Sequence, residues 1–216
     1  MKAVLWDLDG TLLEPNGSIR RALEEAVRHG GFPGFRDDEV LIGMPLRDIL
    51  LTRTDDAAAI ESMVQRFREV SFDTAWRMVR WHAGFPGVLE RLQGRGVRQA
   101  IVTTKGEEEA TVLLEKLDAT PWFDAIVGDD DERPLKPDPA PVLEALRRLG
   151  VAPNDAVMVG DTRYDVEAGR AAGCHTIGVA WGHGSGSHGV AGADRVVDSP
   201  DALITDLDAS LGLHNP

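Results

Sequence analysis

Short apolar runs along the chain alternate with longer stretches in which apolar residues recur at helical spacing. The runs are typical of buried strands, and the longer stretches are typical of amphipathic helices. The runs predict strands over residues 2–8, 98–103, 125–128, 156–160, 176–180 and 195–197. The longer stretches predict helices over residues 88–93, 107–117, 139–149, 163–172 and 200–211, the last with Ser199 as its N-cap. This alternation predicts an α/β fold with a doubly wound parallel sheet.

The stretch between the first and second predicted strands departs from this alternation. It predicts helices over residues 18–29, 37–51 and 55–81, and residues 71–73 mark a potential break in the last of them. A crossover between parallel strands needs little more than a dozen residues, so a stretch this long forms a domain of its own. We therefore expect an α/β core domain of residues 1–14 and 84–216, and an all-helical domain of residues 15–83 inserted after strand one.

Charge and composition narrow the function classes. The chain has 23 Lys and Arg against 36 Asp and Glu, a formal net charge of −13. This acid excess argues against nucleic acid as a partner, because a phosphate backbone needs clustered cations. No run approaches the roughly 18 apolar residues of a membrane span, so no membrane partner is expected. The single cysteine, Cys174, cannot form an internal disulfide, which favours the reducing cytoplasm. The sequence leaves the choice between a monomer and a homodimer open.

Polar side chains follow four of the predicted strands. Ligands of open α/β sheets bind at the carboxyl ends of the strands, so these side chains should converge at one place. The strand-end residues are Asp7, Asp9 and Gly10 after strand one, Thr103 and Thr104 after strand two, Lys136 in the loop after strand three, and Asp161 and Asp165 after strand four.

The chemistry of these strand-end residues suits phosphoryl transfer. Four carboxylates would repel one another without a cation, and Mg²⁺ takes oxygen ligands of this kind. Lys136 and Thr103, together with backbone N–H groups near Gly10 and Thr104, would bind the remaining phosphate oxygens. One carboxylate can serve as the nucleophile, and another two residues further on can serve as general acid and base.

In order and spacing, these residues resemble the four motifs of the haloacid dehalogenase (HAD) superfamily. The first is Asp7-Leu8-Asp9-Gly10-Thr11-Leu12, followed by Thr103, Lys136, and Gly160-Asp161 with Asp165. The helical insert is similar to the small helical cap of that superfamily, and the chain most resembles its phosphoglycolate-phosphatase-like hydrolases.

The resemblance implies a role for each strand-end residue. It implies that Asp7 is the nucleophile and a Mg²⁺ ligand, and that Asp9 is the general acid and base and offers its backbone carbonyl to the ion. It implies that Thr103 and Lys136 bind phosphate, with Lys136 also restraining Asp7. Asp161 would ligate Mg²⁺ directly, and Asp165 would do so through water or would orient its neighbours.

The expected function is a Mg²⁺-dependent phosphatase that hydrolyses a small phosphorylated metabolite, such as phosphoglycolate or a similar phosphomonoester, through an aspartyl-phosphate. The alternative is a phosphomutase of the β-phosphoglucomutase type that uses the same phospho-aspartate. A dehalogenase is disfavoured, because that branch does not keep the second aspartate and Asp9 is present. In the helical insert, Arg47 is a candidate for substrate specificity, and a solvated surface arginine is the competing interpretation.

Overall fold

The computed structural model of the chain describes residues 2–14, 17–36, 44–130, 132–183 and 188–213, and for residues 73–76 and 78 only the backbone. The described chain divides into two compact units. One comprises Met1–Pro15 with Arg80–Pro216, and the other comprises Asn16–Val79. The second boundary thus lies four residues before the one we expected at 83/84, because residues 80–82 pair with the end of the first motif. Glu14 N donates to the Arg80 carbonyl, and His82 N donates to the Leu12 carbonyl.

The larger unit is built on one six-stranded sheet in the order β3-β2-β1-β4-β5-β6, and all of its pairings are parallel. The strands are β1 (Ala3–Trp6), β2 (Arg98–Gly106), β3 (Ala125–Asp129), β4 (Ala156–Gly160), β5 (His175–Val179) and β6 (Arg195–Val197). The predicted doubly wound parallel sheet is therefore confirmed. Because the chain moves outward from β1 to β3 and then returns to β4 on the other side, the strand order reverses between β1 and β4.

Helices cover both faces of this sheet. Numbered after the three helices of the smaller unit, they are α4 (Phe85–Gly94), α5 (Glu107–Lys116), α6 (Ala140–Leu149), α7 (Arg163–Ala171) and α8 (Pro200–Ser210). Residues of α6 and α7 pack with Leu5 and Val102 of the strands in one buried apolar cluster. On the other face, Trp6 packs edge-on against Phe85 of α4 at 5.9 Å between ring centroids. Coverage of both faces explains why the strands read as continuous apolar runs rather than as alternating ones.

The smaller unit is all-helical in the residues described. Its helices are α1 (Ser18–His29), α2 (Leu46–Leu51) and α3 (Ala57–Met78). They enclose a separate apolar core that includes Leu23, Leu50 and Met63, each at most 1% exposed. The predicted break near residues 71–73 is wrong, because α3 runs through this stretch without interruption and buries Ser71. Residues 37–43 of the predicted second helix lie outside the described residues.

No helix among the described residues is both long and apolar enough to cross a membrane.

Candidate active site

The first group of functional side chains surrounds Lys136 at the carboxyl ends of β1 and β4. Asp7 follows β1 directly, and its backbone N–H donates to the Val159 carbonyl of β4 at 2.9 Å. The Lys136 ammonium donates to Asp7 Oδ1 at 2.7 Å, to Asp165 Oδ1 at 2.5 Å and to the Val102 carbonyl of β2 at 2.8 Å. The lysine side chain is only 2% exposed. All three of its N–H donors are therefore used. They connect Asp7, the nucleophile candidate, to β2 and to α7.

The same place holds a candidate metal site. Carboxylate oxygens of Asp7, Asp161 and Asp165 all lie within 4.8 Å of one another, and all three residues are buried. Three buried carboxylates facing one ammonium leave an excess of negative charge, and their hard oxygen atoms suit a divalent cation such as Mg²⁺. We call Asp7, Lys136, Asp161 and Asp165 the Lys136 cluster.

The pKa values of the Lys136 cluster report the same charge excess. Burial raises the pKa of Asp7 well above its usual value, and the nearby Asp165 and Asp161 charges add to the rise although Lys136 opposes it. Burial, reinforced by Asp165, raises the pKa of Asp161 to about 7. Burial disfavours a charged Lys136, but the Asp165 and Asp7 carboxylates outweigh it and the pKa of the lysine is raised. The carboxylates of this cluster repel one another, and burial strengthens that repulsion. A bound divalent cation would offset it.

Asp161 sits in a tight cradle that sequence analysis did not identify. Thr11 Oγ1 donates to Asp161 Oδ1 at 3.2 Å, and the backbone N–H of His183 donates to Oδ2 at 2.6 Å. A Cβ added at Gly10 or Gly182 would overlap the Asp161 carboxylate. Gly182 and His183 begin a glycine-rich segment after β5, and both contact Asp161 through the backbone or through close approach. The signal was their position directly after the fifth strand, at the same edge of the sheet.

Asp165 accepts three hydrogen bonds from described residues, against the two that Asp161 accepts. Oδ1 accepts from Lys136, while Oδ2 accepts from Thr162 N at 3.0 Å and from Thr162 Oγ1 at 2.7 Å. The second pair of contacts is the capping box at the N-terminus of α7. The role of Asp165, as a metal ligand through water or as a residue that orients its neighbours, stays a prediction.

Asp9 belongs to a second group, which we call the Lys105 cluster: Asp9, Lys105 and Glu109. Lys105 Nζ lies 3.3 Å from Asp9 Oδ2 and 3.1 Å from Glu109 Oε1. The lysine side chain is 5% exposed, that of Glu109 12% and that of Asp9 21%. The structure thus separates the two aspartates of the first motif, and the Asp9 side chain is not part of the carboxylate group around Asp161. Our prediction that the Asp9 carbonyl ligates a metal ion stays a prediction.

The predicted phosphate-binding residues Gly10, Thr103 and Thr104 are close in sequence to the Lys105 cluster. Gly10 follows Asp9, and Thr103 and Thr104 precede Lys105 in β2. Thr103 is buried, and its Oγ1 accepts the backbone N–H of Lys105 at 3.2 Å. Thr104 follows it and is partly exposed. The N–H of Gly10 donates to the Leu13 carbonyl at 2.9 Å, so this amide already serves the turn after β1. Phosphate binding by Gly10, Thr103, Thr104 and Lys136 stays a prediction.

Arg47, the candidate specificity residue, lies on α2 of the helical unit. Its guanidinium pairs with Glu61 of α3 at 2.9 Å, and about half of each side chain is exposed. An exposed ion pair of this kind contributes little to stability. The role of Arg47 toward a substrate stays a prediction.

Comparison with known proteins connects this geometry to a family. The family model described as haloacid dehalogenase-like hydrolase matches residues 4–179, which include every strand-end residue of the site. The phosphoglycolate phosphatase of Aquifex aeolicus is 36% identical over 185 residues, covering 85% of this chain and 86% of that protein. Pyrophosphatase PpaX of Bacillus pumilus is 36% identical over 184 residues, 84% of each chain. A crystal structure of a predicted phosphatase from Clostridium acetobutylicum has a TM-score of 0.86 at 25% identity, covering 95% of this chain and 97% of that one.

Proposed function

Because the chain belongs to the haloacid dehalogenase-like hydrolases, we propose that it is a Mg²⁺-dependent phosphatase of small phosphorylated metabolites. The observation that carries the proposal is the Lys136 ammonium, which joins Asp7 and Asp165 at 2.7 and 2.5 Å beside Asp161. A nucleophilic carboxylate must be held in one orientation, and a buried ammonium with three fixed acceptors does so.

In the proposed reaction Asp7 forms the covalent intermediate. A lone pair of its carboxylate attacks phosphorus, a P–O bond to Asp7 forms, and the P–O bond to the leaving group breaks. Asp9 gives its proton to the leaving oxygen. The Asp9 carboxylate then takes a proton from water, whose oxygen attacks phosphorus and displaces Asp7, so that inorganic phosphate leaves and both aspartates return to their starting states.

Asp7, Asp161 and the Asp9 carbonyl would hold Mg²⁺, with Asp165 acting through water or by orienting Lys136. When bound, the ion would offset the negative charge of the carboxylates and of the phosphoryl oxygens. Thr103 would bind the phosphoryl group beside it, and Lys136 would contribute its positive charge, because its three N–H donors already have acceptors. The raised pKa of Asp7 and of Asp161 without a cation supports this assignment, since a site that must ionise both residues needs added positive charge.

The substrate class rests on the relatives. A phosphoglycolate phosphatase and a pyrophosphatase both match more than four fifths of the chain at 36% identity. Both names describe enzymes of small, acidic phosphorylated compounds, which we propose as the substrate class here. Action in the cytoplasm, as a monomer or a homodimer, completes the proposal.

The experiment is a phosphate-release assay of the purified protein on phosphoglycolate, pyrophosphate, sugar phosphates and p-nitrophenyl phosphate. We expect activity with Mg²⁺, none in excess EDTA, and poor replacement by Ca²⁺, which prefers more ligands and looser geometry. Mass spectrometry of acid-quenched protein should find a phosphoryl adduct on Asp7 and none in Asp7→Asn. Full activity in excess EDTA, or an adduct on another residue, contradicts the proposal. An isomerised sugar phosphate without phosphate release would favour the phosphomutase.

A further inference from the structure

We infer that Lys105, anchored by Glu109, is a positioning residue for Asp9, a role that rests on the proposed function of Asp9 as general acid and base. The observation is the chain of contacts from Glu109 Oε1 through the buried Lys105 Nζ to the partly exposed Asp9 Oδ2, at 3.1 and 3.3 Å. Within the proposed mechanism nothing else employs this lysine. A buried ammonium is costly unless it is paired, so its place beside Asp9 needs a reason.

The backbone of Lys105 is held in place by its surroundings. The pairing of β2 with β3 is in register up to Val102 and resumes, shifted, only at Gly106, so Lys105 lies in an irregular stretch near the end of the strand. A Cβ on Gly128 of β3 would come within 2.6 Å of the Lys105 carbonyl. The glycine therefore allows β3 to approach at the position where the lysine is presented. Such irregularities in strands often redirect a side chain toward a functional site.

Glu109 supplies a firm anchor for the ammonium. It lies in the first turn of α5, where the helix dipole stabilises a negative charge. It is also four residues after Lys105, and its side chain is mostly buried. An ammonium held between two carboxylates has fewer orientations than one held by Asp9 alone. We therefore expect Glu109 to restrict Lys105, and Lys105 in turn to restrict the Asp9 carboxyl group.

The physical effect is on the geometry of proton transfer. A general acid must reach the leaving oxygen at hydrogen-bond distance, and an error of about 1 Å can cost 10²-fold in rate. Replacing Lys105 with Met keeps most of the side-chain volume and removes the charge. Asp9 and Glu109 would then face each other without a positive charge between them, and the Asp9 carboxyl group would turn away from its working position.

The test compares Lys105→Met with wild type on two phosphate esters, ethyl phosphate and p-nitrophenyl phosphate. Their leaving groups differ in basicity but carry no additional charged group. For ethyl phosphate, whose departure needs a proton, we expect kcat to fall about 10–100-fold with little change in KM. The leaving group of p-nitrophenyl phosphate hardly needs a proton. For this substrate the rate of p-nitrophenol release in the first turnover should therefore fall much less. Glu109→Gln should give the same pattern at a smaller amplitude, because the amide oxygen still accepts from Lys105.

A double mutant separates positioning of Asp9 from other roles. If Lys105 acts through Asp9, the double variant Asp9→Asn with Lys105→Met should be no slower on ethyl phosphate than Asp9→Asn alone. Lys116→Met, at the other end of α5 and exposed, is the matched control and should keep wild-type kinetics. Thermal unfolding and circular dichroism of each variant identify any loss that comes from misfolding.

Three results would overturn the inference. Additive losses in the double variant would mean that Lys105 does not act through Asp9. Equal losses in the first-turnover rate on ethyl phosphate and p-nitrophenyl phosphate would mean a general structural role. A loss confined to phosphoglycolate, with ethyl phosphate unaffected, would mean that Lys105 binds a charged leaving group instead. Failure of the proposed function itself would be seen separately, as wild-type protein without Mg²⁺-dependent activity or without an adduct on Asp7.

Discussion

The Lys136 cluster and the Lys105 cluster use the same residue types at one edge of the sheet, yet their surroundings differ. Each places one ammonium between an aspartate of the first motif and a carboxylate from a later helix: Asp165 of α7 for Lys136, and Glu109 of α5 for Lys105. In the Lys136 cluster a third carboxylate, Asp161, is present and every member is buried. In the Lys105 cluster the ammonium pairs with two carboxylates, those of Asp9 and Glu109, and Asp9 is partly exposed.

This difference indicates a division of chemistry between the two aspartates of the first motif. Three buried carboxylates around one ammonium carry a formal charge of about −2, which burial makes costly and a divalent cation can offset. The Lys105 cluster has one carboxyl group fewer around its ammonium, and the partial exposure of Asp9 leaves it accessible to a substrate and to water. We therefore expect variants of the Lys136 cluster to change the response to metal ions and to pH. We expect variants of the Lys105 cluster to affect most strongly the substrates whose leaving group needs a proton.

The largest effect is expected from Lys136→Met, which would break the more buried cluster. It leaves Asp7, Asp161 and Asp165 without a positive charge, and removing one partner of a buried ion pair typically lowers the free energy of unfolding by about 3 kcal/mol or more. Loss of the group that orients Asp7 should also reduce kcat by about 10³-fold or more. Chemical denaturation and steady-state kinetics measure the two effects. Lys2→Met is the control, because its ion pair with Asp155 is exposed and should matter little. Unchanged stability and activity in Lys136→Met would contradict the role assigned to this cluster.

Asp9→Asn should affect the chemistry while sparing the fold. We expect kcat for alkyl phosphates to fall by about 10²–10⁴-fold, the usual value of a general acid or base, and a smaller loss in the first step with p-nitrophenyl phosphate. Because breakdown of the acyl phosphate would lack its base, phosphorylated Asp7 should accumulate in acid-quenched samples analysed by mass spectrometry. Activity as fast as wild type on alkyl phosphates would show that the Lys105 cluster does not supply the proton.

The smallest effect concerns stability without metal. The pKa of Asp161 is about 7 in the folded protein, against 3.8 for an unperturbed aspartate. At a pH between these two values Asp161 is protonated in the folded state and ionised in the unfolded state. The free energy of unfolding that this residue contributes therefore falls as the pH rises from about 4 to about 7. In excess EDTA at pH 8, Asp161→Asn should therefore stabilise the protein by about 2 kcal/mol and weaken the pH dependence.

Thermal unfolding with EDTA and with Mg²⁺ measures this effect. Wild type should gain stability from Mg²⁺, and Asp161→Asn should gain much less, since it has lost a ligand. Asp55→Asn, an exposed substitution in the helical unit, should respond to Mg²⁺ as wild type does. Destabilisation of metal-free Asp161→Asn at pH 8 would mean that hydrogen bonds from Thr11 and His183 outweigh the charge repulsion in the cradle.

Much of the core domain was predictable from local sequence. Buried parallel strands are apolar on both faces, whereas apolar residues in the intervening helices recur at helical spacing. The two patterns are easily told apart, and all six predicted strands lie within a few residues of the observed ones. Ser199 caps α8 as expected, with its Oγ accepting the Ala202 N–H. Family membership and the class of hydrolase were also predictable, because the motif residues follow strands that end at one edge of the sheet.

Helix continuity and the glycine-rich loop were less predictable. Ser71-Phe72-Asp73 has weak helix propensity, but burial of Ser71 within α3 outweighs a local preference of this size. Glycines after β5 are typical of an ordinary loop, and only the structure shows that a side chain at Gly182 would overlap Asp161. At Gly182 the deciding contact is with Asp161, which follows a different strand, β4.

The sequence by itself determined which strand ends carry carboxylates, hydroxyls and lysines, because strand position follows from local apolar patterns. The resemblance already implied that Lys136 restrains Asp7, and only the tertiary structure showed that Lys105 pairs with Asp9. Asp7 and Asp9 are two residues apart, yet they pair with Lys136 and Lys105 on different segments. Ion pairing depends on burial and on distances of a few ångströms between side chains from separate elements, and no local pattern contains that information.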